Sequence, residues 1–312
     1  MSSSNRDHPD LPPPRLVELS DGVYGYVQPD GSWWVNNTGV LVGRRGVVSI
    51  DSCSTERRTR DYLAAVATLS RQPIRTLVNT HHHGDHTFGN YLFPNATIVG
   101  HERIRQEMLD FGLPGQLPFW EPVEWGDIEL EPPFLTFTDA VTLHVDDLRV
   151  EVRYAGRPAH TTNDCIVWIP ERKVLLSGDL LFNGGTPFLL TGSVAGALQV
   201  LDELRKLGAE TILPGHGDVA GPGLIDDCAR YLDFVLDLAG RGRAAGLTPL
   251  QLARETDLGD FAGLLDSERI VGNLHRAYAE LDGLDPGGRI DIVAALTDMV
   301  AYNGGRPLTC LA

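Results

Sequence analysis

The chain has almost no lysine, few cysteines and a large deficit of positive charge. Lys173 and Lys206 are its only lysines, and 26 basic residues face 42 acidic ones, for a net charge of -16. Such a charge repels phosphate backbones and anionic lipid headgroups, so we expect neither a nucleic-acid nor a membrane partner. The four cysteines have no C-x-x-C spacing, which in a cytosolic chain favours buried free thiols.

The sequence also lacks a recognisable targeting or membrane segment. Its start, MSSSNRDHPDLPPPR, has no apolar signal region, so residues 1–15 are predicted to form a disordered tail and the location is predicted to be cytoplasmic. The longest stretch without charge, residues 180–201, is interrupted by glycine, proline and polar residues. We therefore interpret it as a buried loop and helix and not as a membrane span.

Three common catalytic signatures are missing. There is no G-x-S-x-G nucleophile elbow, no G-x-x-x-x-G-K phosphate loop and no G-x-G-x-x-G dinucleotide motif. With 312 residues, 42% of them hydrophobic, the chain can still bury the core of one large domain, or of one domain with an appendage. A globular protein with a different kind of site is therefore expected.

Strand and helix patterns alternate along most of the chain. GVLVGRRGVVSID predicts two strands joined by a turn at residues 43–46, and the helix that follows can be capped by Ser54 or Thr55. Further strands are predicted at PIRTLVNT, ATIVGH, LRVEVRY, CIVWIP, KVLLSGD and ETILPGH, and helices at HERIRQEMLD and GALQVLDELRKLG. This alternation indicates an α/β fold.

Histidine and aspartate residues gather where these strands end. The stretch VNTHHHGDHTFGN contains an H-x-H-x-D-H motif, and three further candidates follow later predicted strands. The seven candidate ligands are His81, His83, Asp85, His86, His160, Asp179 and His216. A lone H-x-H is typical of a polar surface loop, whereas imidazoles and carboxylates converging from a sheet edge suit zinc. Their number fits two metals that share one carboxylate and a bridging hydroxide.

Four of these stretches, in this order, resemble the metallo-β-lactamase superfamily. They are THHHGDH, AHT at His160, SGDLLF at Asp179 and PGHG at His216, and the resemblance covers residues 16–221. It implies an αββα sandwich with metals at one edge, followed by a C-terminal helical extension over residues 222–312. It also implies a first metal held by His81, His83 and His160, a second held by Asp85, His86 and His216, and Asp179 between them. His82 is expected to point away.

The resemblance implies a dinuclear hydrolase with two Zn(II) ions, for which Fe or Mn could substitute. A bridging hydroxide, formed because the cations lower the pKa of water towards about 7, would attack a thioester, ester or lactone. We expect Asp85 to be catalytic, orienting the nucleophile or passing its proton to the leaving group. The substrate would be a small molecule or an acyl group on a carrier protein.

Two more stretches narrow this expectation. GDLLFNGGTPFLLTGSVAG and VAYNGGRPLTCLA resemble thioesterase/cyclase proteins of bacterial aromatic polyketide pathways. The best-known secreted lactamases carry cysteine at the position of Asp179. Glyoxalase II, lactonase and thioesterase-like members carry aspartate there, as this chain does. Three alternatives stay open: a mononuclear iron oxygenase of the persulfide dioxygenase type, a β-lactamase-like amide hydrolase, and a metal-stabilised binding protein without turnover.

Other residues have two interpretations each. Asp164 either orients a metal ligand or caps a turn, and His101, His144 and His275 are expected to be surface or capping residues. Residues 113–133 are predicted to be a long loop, and the aromatic residues in and beside it either roof a pocket or pack in the core. They are Phe111, Phe119, Trp120, Trp125, Phe134 and Phe137. The C-terminal helices, one of them predicted to start at Thr248, either cover the site, form a homodimer contact or pack on the sandwich.

Overall fold

The computed structural model describes residues 11–115 and 118–312, so residues 1–10 of the predicted tail lie outside the described part. Two sheets form its centre. The first has seven strands in chain order: β1 (Arg15–Ser20), β2 (Val23–Val27), β3 (Thr38–Gly43), β4 (Gly46–Ile50), β5 (Ile74–Val78), β6 (Thr97–His101) and β7 (Leu135–Phe137). The strands are antiparallel from β1 to β4 and parallel from β4 to β7.

The second sheet has five strands in the order β12-β11-β10-β9-β8. They are β8 (Ala140–Val145), β9 (Leu148–Tyr154), β10 (Cys165–Ile169), β11 (Val174–Phe182) and β12 (Thr211–His216). Neighbours pair antiparallel except β11 and β12, which are parallel. The parallel pair requires a crossover, and a helix between the two strands supplies it.

Eight α-helices accompany the sheets in the described residues. They are α1 (Glu56–Leu69), α2 (Gly84–Thr87), α3 (Glu102–Phe111), α4 (Val194–Leu207), α5 (Gly223–Ala245), α6 (Pro249–Glu255), α7 (Arg269–Leu281) and α8 (Ile292–Tyr302). One apolar cluster joins α1 to the first sheet, a second lies between the sheets, and a third joins the second sheet to α4, α5, α7 and α8. This is the predicted αββα sandwich.

Alternation within the strands produces these layers. On β11, Leu175 packs towards the helices and Leu176 packs between the sheets, and Ile212 and Leu213 divide in the same way on β12. Successive strand side chains point to opposite faces, so a strand covered on both sides reads as a continuous apolar run. That is why KVLLSGD and ETILPGH have apolar centres.

The predicted helix starts agree with the structure. The Thr55 side chain accepts a hydrogen bond from the Arg58 backbone N–H at 3.2 Å at the start of α1. Thr248 caps α6, with Pro249 at the first turn, and forms a reciprocal capping box with Gln251. Such caps satisfy backbone donors that the helix leaves unpaired.

The described helices include none with both the length and the hydrophobicity that crossing a membrane requires. All four cysteines are buried free thiols, as the sequence predicts.

Two glycines in different surroundings predict opposite effects of an alanine substitution on stability. A Cβ on Gly39 would lie 2.1 Å from Cδ2 of Leu176, so Gly39→Ala should lower the free energy of unfolding by about 1–3 kcal/mol through overpacking. Gly240, exposed on α5, has no neighbour within 4 Å of such a Cβ, so Gly240→Ala should raise it by about 0.5–1 kcal/mol. Denaturant unfolding of both variants measures the two shifts, and equal shifts would contradict this packing.

Candidate metal centre

The seven predicted ligands lie at one edge of the sandwich. His81 follows β5, short helix α2 carries Asp85 and His86, and His216 ends β12. Asp179 was expected to end its strand, but β11 continues to Phe182 because that residue still pairs with His216. The sheets therefore fix the backbone on both sides of the site, which a loop alone could not do.

The ligand atoms form two groups that share one carboxylate. His81, His83, His160 and Asp179 make one group, and Asp85, His86, His216 and Asp179 make the other, with the atoms of each group within 4.8 Å of one another. Asp179 Oδ2 lies 3.4 Å from His160 Nε2 and 3.3 Å from His216 Nε2. His82 is in neither group and contacts Asn163. All seven candidates thus come together, and His82 does point away.

Several of these atoms have no hydrogen-bond partner although they are buried. Among the described residues, His81 Nε2, His86 Nε2 and Asp179 Oδ1 make no hydrogen bond of good geometry, although the last two atoms lie 3.0 Å apart. Buried polar atoms in native proteins are nearly always paired, so a convergent set of unpaired ones needs another kind of partner. Imidazole nitrogens and carboxylate oxygens in this arrangement fit divalent metal ions such as zinc.

The electrostatics of the cluster favour a cation. Burial lowers the pKa of His81 and His83 well below the usual value, which keeps these imidazoles in the neutral form that binds metals. Burial also lowers the pKa of His216, but Asp179 and Asp85 outweigh it and raise that pKa to about 9. Burial raises the pKa of Asp179, yet the surrounding imidazoles hold it well below its usual value. The carboxylates therefore stay anionic and attract positive charge.

Asp51 contacts the candidate ligand His86, and the sequence-based interpretation missed it. Its Oδ2 accepts a hydrogen bond from His86 Nδ1 at 2.9 Å, and Thr80 donates to both carboxylate oxygens at 2.7 Å. A carboxylate behind an imidazole orients the ring and sets which nitrogen is free for a metal. Its left-handed backbone, with a φ of 63°, marks a strained position typical of functional sites. One feature of the sequence could have identified Asp51. It directly follows β4, and β4 pairs with β5, the strand that precedes the H-x-H-x-D-H motif.

The structure also shows the surroundings of Asp164 and of the three histidines outside the ligand groups. Asp164 accepts from the backbone N–H and the hydroxyl of Thr161, at 2.8 and 2.6 Å, so it closes a turn. His101 is buried and caps α3, whereas His275 pairs with Asp298 at 2.8 Å and His144 is exposed.

Close backbone approach constrains the residue beside His216. A Cβ on Gly215 would lie 1.9 Å from Asp179 Oδ1. Any larger residue would displace the carboxylate that both ligand groups share, so the PGHG stretch needs glycine here.

Two adjoining cavities open onto the ligands. The inner one, about 140 Å³, is lined by ligands together with Trp33, Trp34, Trp120, Phe182, Phe188 and Arg269. The outer one, about 350 Å³, shares Trp34, Trp120 and Phe188 with it and extends to Phe111 and Ile292.

Both interpretations of the aromatic loop hold in part. Trp120 lines the cavities and Phe119 packs on the core, while Phe134 is 84% exposed and does neither.

Loss of the Asp51 carboxylate should weaken metal binding. Asp51→Asn cannot accept in the same way from His86, and such outer contacts contribute about 10- to 100-fold to metal affinity. Competition for Zn(II) with a chromophoric chelator measures the change. Tyr62→Phe, which removes a buried hydroxyl bonded to Ser49 and touches no ligand, controls for lost stability. Equal affinities of the two variants would contradict the role given to Asp51.

Known proteins are similar to this chain in sequence. A sequence profile described as the metallo-beta-lactamase superfamily matches residues 31–216. The chain is 27% identical over 222 residues to the 2,4-dinitroanisole O-demethylase subunit alpha of Nocardioides sp. (strain JS1661), which covers 64% of this chain and 62% of that subunit, less than two thirds of its length. It is 24% identical over 233 residues to a metallo-beta-lactamase type 2 of Bacteroides fragilis, with 71% and 86% covered.

Solved structures share the architecture. A metallo-beta-lactamase from Pontibacter korlensis superposes with a TM-score of 0.60 at 17% identity, covering 71% of this chain and 99% of that chain. DIM-1 metallo-beta-lactamase gives a TM-score of 0.58 at 18% identity, covering 72% and 99%. At such identities the likeness concerns the fold alone. Together with the profile match over more than half of the sequence, it leads to one conclusion: this chain belongs to the metallo-beta-lactamase superfamily.

Proposed function

We propose that the protein is a dinuclear metal-dependent hydrolase that acts on an acyl bond in a thioester, ester or lactone. The observation that carries the proposal is the Asp179 carboxylate, which belongs to both ligand groups and lies within 3.4 Å of imidazoles in each of them. One carboxylate between two triads suits a pair of closely spaced metal ions, as in two-metal hydrolytic sites. Zn(II) is the expected ion, and Fe or Mn could replace it.

Bound cations would supply a water of lowered pKa and polarise the substrate carbonyl. Residues of the chain would orient the nucleophile, transfer the proton and exclude water. Asp85 lines the inner cavity, and its Oδ2 lies 3.2 Å from His216 Nε2. A carboxylate there can hold the nucleophile in line and carry a proton to the leaving group. The surrounding tryptophan and phenylalanine rings exclude bulk water, which strengthens each charged interaction in the site.

The outer cavity supports a bulky apolar acyl group as the substrate. Its volume of about 350 Å³ lies in the range of small-molecule sites, and aromatic and aliphatic side chains line most of it. A polycyclic or poly-β-ketone acyl chain, free or carried by a protein, would fit this lining. The thioesterase/cyclase type predicted from the sequence is therefore our preferred subclass.

Two relatives suggest different bonds. A hydroxyacylglutathione hydrolase of Rhodospirillum rubrum (strain ATCC 11170 / ATH 1.1.1 / DSM 467 / LMG 4362 / NCIMB 8255 / S1) is 30% identical over 143 residues, with 45% of this chain and 46% of the relative covered, and its name gives an acylglutathione as the substrate. The dinitroanisole O-demethylase subunit makes cleavage of an aryl methyl ether the second candidate, favoured by the aromatic rings around the ligands.

Metal removal and one substitution test the hydrolase proposal. Dialysis against a chelator should abolish hydrolysis of aryl thioesters, and added Zn(II) should restore it. Asp85→Asn should lower kcat by about 10²–10⁴-fold, because it removes a general acid–base group. Elemental analysis of each sample allows the rate to be expressed per bound metal. A metal-free protein that still turns over, or oxygen consumption with one iron, would contradict the proposal.

A matched pair on α3 tests the apolar cavity. Phe111 is 58% exposed and lines the outer cavity, whereas Leu109 is 49% exposed and does not. Phe111→Ala should raise KM for an aromatic acyl thioester about fivefold, since one aromatic contact contributes about 1 kcal/mol. It should leave KM for an acetyl thioester unchanged. Leu109→Ala should alter neither value, and equal effects of both variants would refute the assignment of this cavity.

A further inference from the structure

The segment from Thr186 to Leu190 connects the metal centre with the C-terminal helices. It follows β11, and its middle residue, Phe188, accepts a hydrogen bond through its backbone carbonyl from His160 Nδ1. His160 Nε2, on the other side of the same ring, lies 2.9 Å from His83 Nδ1 and 3.4 Å from Asp179 Oδ2. The position of the Phe188 carbonyl therefore sets the orientation of this imidazole.

Asn273 of α7 holds the backbone on both sides of Phe188. Its Nδ2 donates to the carbonyl of Pro187 at 2.8 Å, and its Oδ1 accepts from the N–H of Leu189 at 2.9 Å. Asn273 is fully buried, so its amide is shielded from competing water. The bond to the Leu189 N–H fixes the peptide plane that carries the Phe188 carbonyl, and the bond to the Pro187 carbonyl fixes the plane before it.

Two arginines on the same helix hold the ends of the segment. Arg269 Nη1 donates to the carbonyl of Thr186 at 2.9 Å, and Arg276 donates to the carbonyl of Leu190 through Nε and Nη2 at 3.1 and 2.9 Å. Both are only 1% exposed. Positions 269, 273 and 276 lie on one face of a helix, since residues three, four and seven apart align along it.

A buried guanidinium is costly to keep away from water, and this structure keeps two of them on one helix face. Arg269 is paired with Asp266 at 2.7 Å and lies 4.0 Å from the centre of the Trp33 ring. Arg276 makes no ion pair among the described residues and bonds instead to a backbone carbonyl. Simple packing would be achieved at lower cost by apolar side chains. The hydrogen bonds that these two guanidiniums make to backbone go to the two ends of the 186–190 segment.

We propose that α7 is a positioning element of the metal centre, in which Asn273, Arg269 and Arg276 set the Phe188 carbonyl and through it His160. The inference rests on the proposed function insofar as His160 binds a metal. Helix α7 lies outside residues 31–216, the part that the superfamily profile matches. Helix α7 would thus support the first ligand group on the side of His160 that faces away from the other ligands.

Asn273→Ala tests the proposal against Tyr231→Phe as the control. Tyr231 Oη accepts from Asn273 Nδ2 at 3.0 Å, so the control disturbs the same α5–α7 contact but leaves both bonds to the 186–190 segment. We expect Asn273→Ala to weaken binding of one metal about 10- to 100-fold, the range for lost outer contacts. The second metal should remain. Chelator competition and the absorption spectrum of the Co(II)-loaded protein measure this independently of activity.

Arg276→Lys serves if the alanine variant does not fold. It keeps the positive charge but not the paired donors, and we expect a smaller weakening of the same metal. Metal affinities equal to those of Tyr231→Phe, at equal thermal stability, would overturn the positioning role while the hydrolase proposal stands. A wild-type protein that binds no metal would instead remove the hydrolase proposal itself.

Discussion

The buried Asp179 carboxylate is the group on which the site depends. Its side chain is 4% exposed and is surrounded by the imidazoles of His81, His86, His160 and His216. An anion in such a place is costly unless positive charge compensates it. That requirement explains why the histidines converge on it and why its pKa is held low. The close approach of the same carboxylate to the backbone explains why the residue beside His216 must be glycine.

The sandwich supplies the rigidity that this convergence needs. Asp179 and His216 lie on β11 and β12, a parallel pair buried on both faces. Asp85 and His86 lie on α2, which follows β5 in the other sheet. Asp51, after β4, then ties His86 to the strand next to β5. Each ligand group therefore combines residues positioned by the first sheet with residues positioned by the second. The apolar layer between the sheets holds these two sets of residues together.

Local chemistry was predictable, whereas contacts between distant segments were not. Residues close together in the sequence are enough to recognise the H-x-H-x-D-H motif, the helix caps and the alternating strands. Asp51 had only its place after a strand to mark it, because its partner His86 lies 35 residues away. Asn273 had no signal at all: an asparagine inside an amphipathic helix looks like any polar position until the 186–190 backbone is seen against it.

The C-terminal helices bear on both structure and specificity. Ile292 of α8 lines the outer cavity and Arg269 of α7 lines the inner one, so the part of the chain beyond the profile match forms a wall of the space above the ligands. The ligand sets come from the sandwich, and the wall combines sandwich residues such as Trp34 and Phe111 with Arg269 and Ile292 of the C-terminal helices. Helix α7 both lines the inner cavity and bonds to the 186–190 segment, whose Phe188 carbonyl accepts from His160. Under the proposed positioning role, a change in this part of the wall would therefore also affect the orientation of His160.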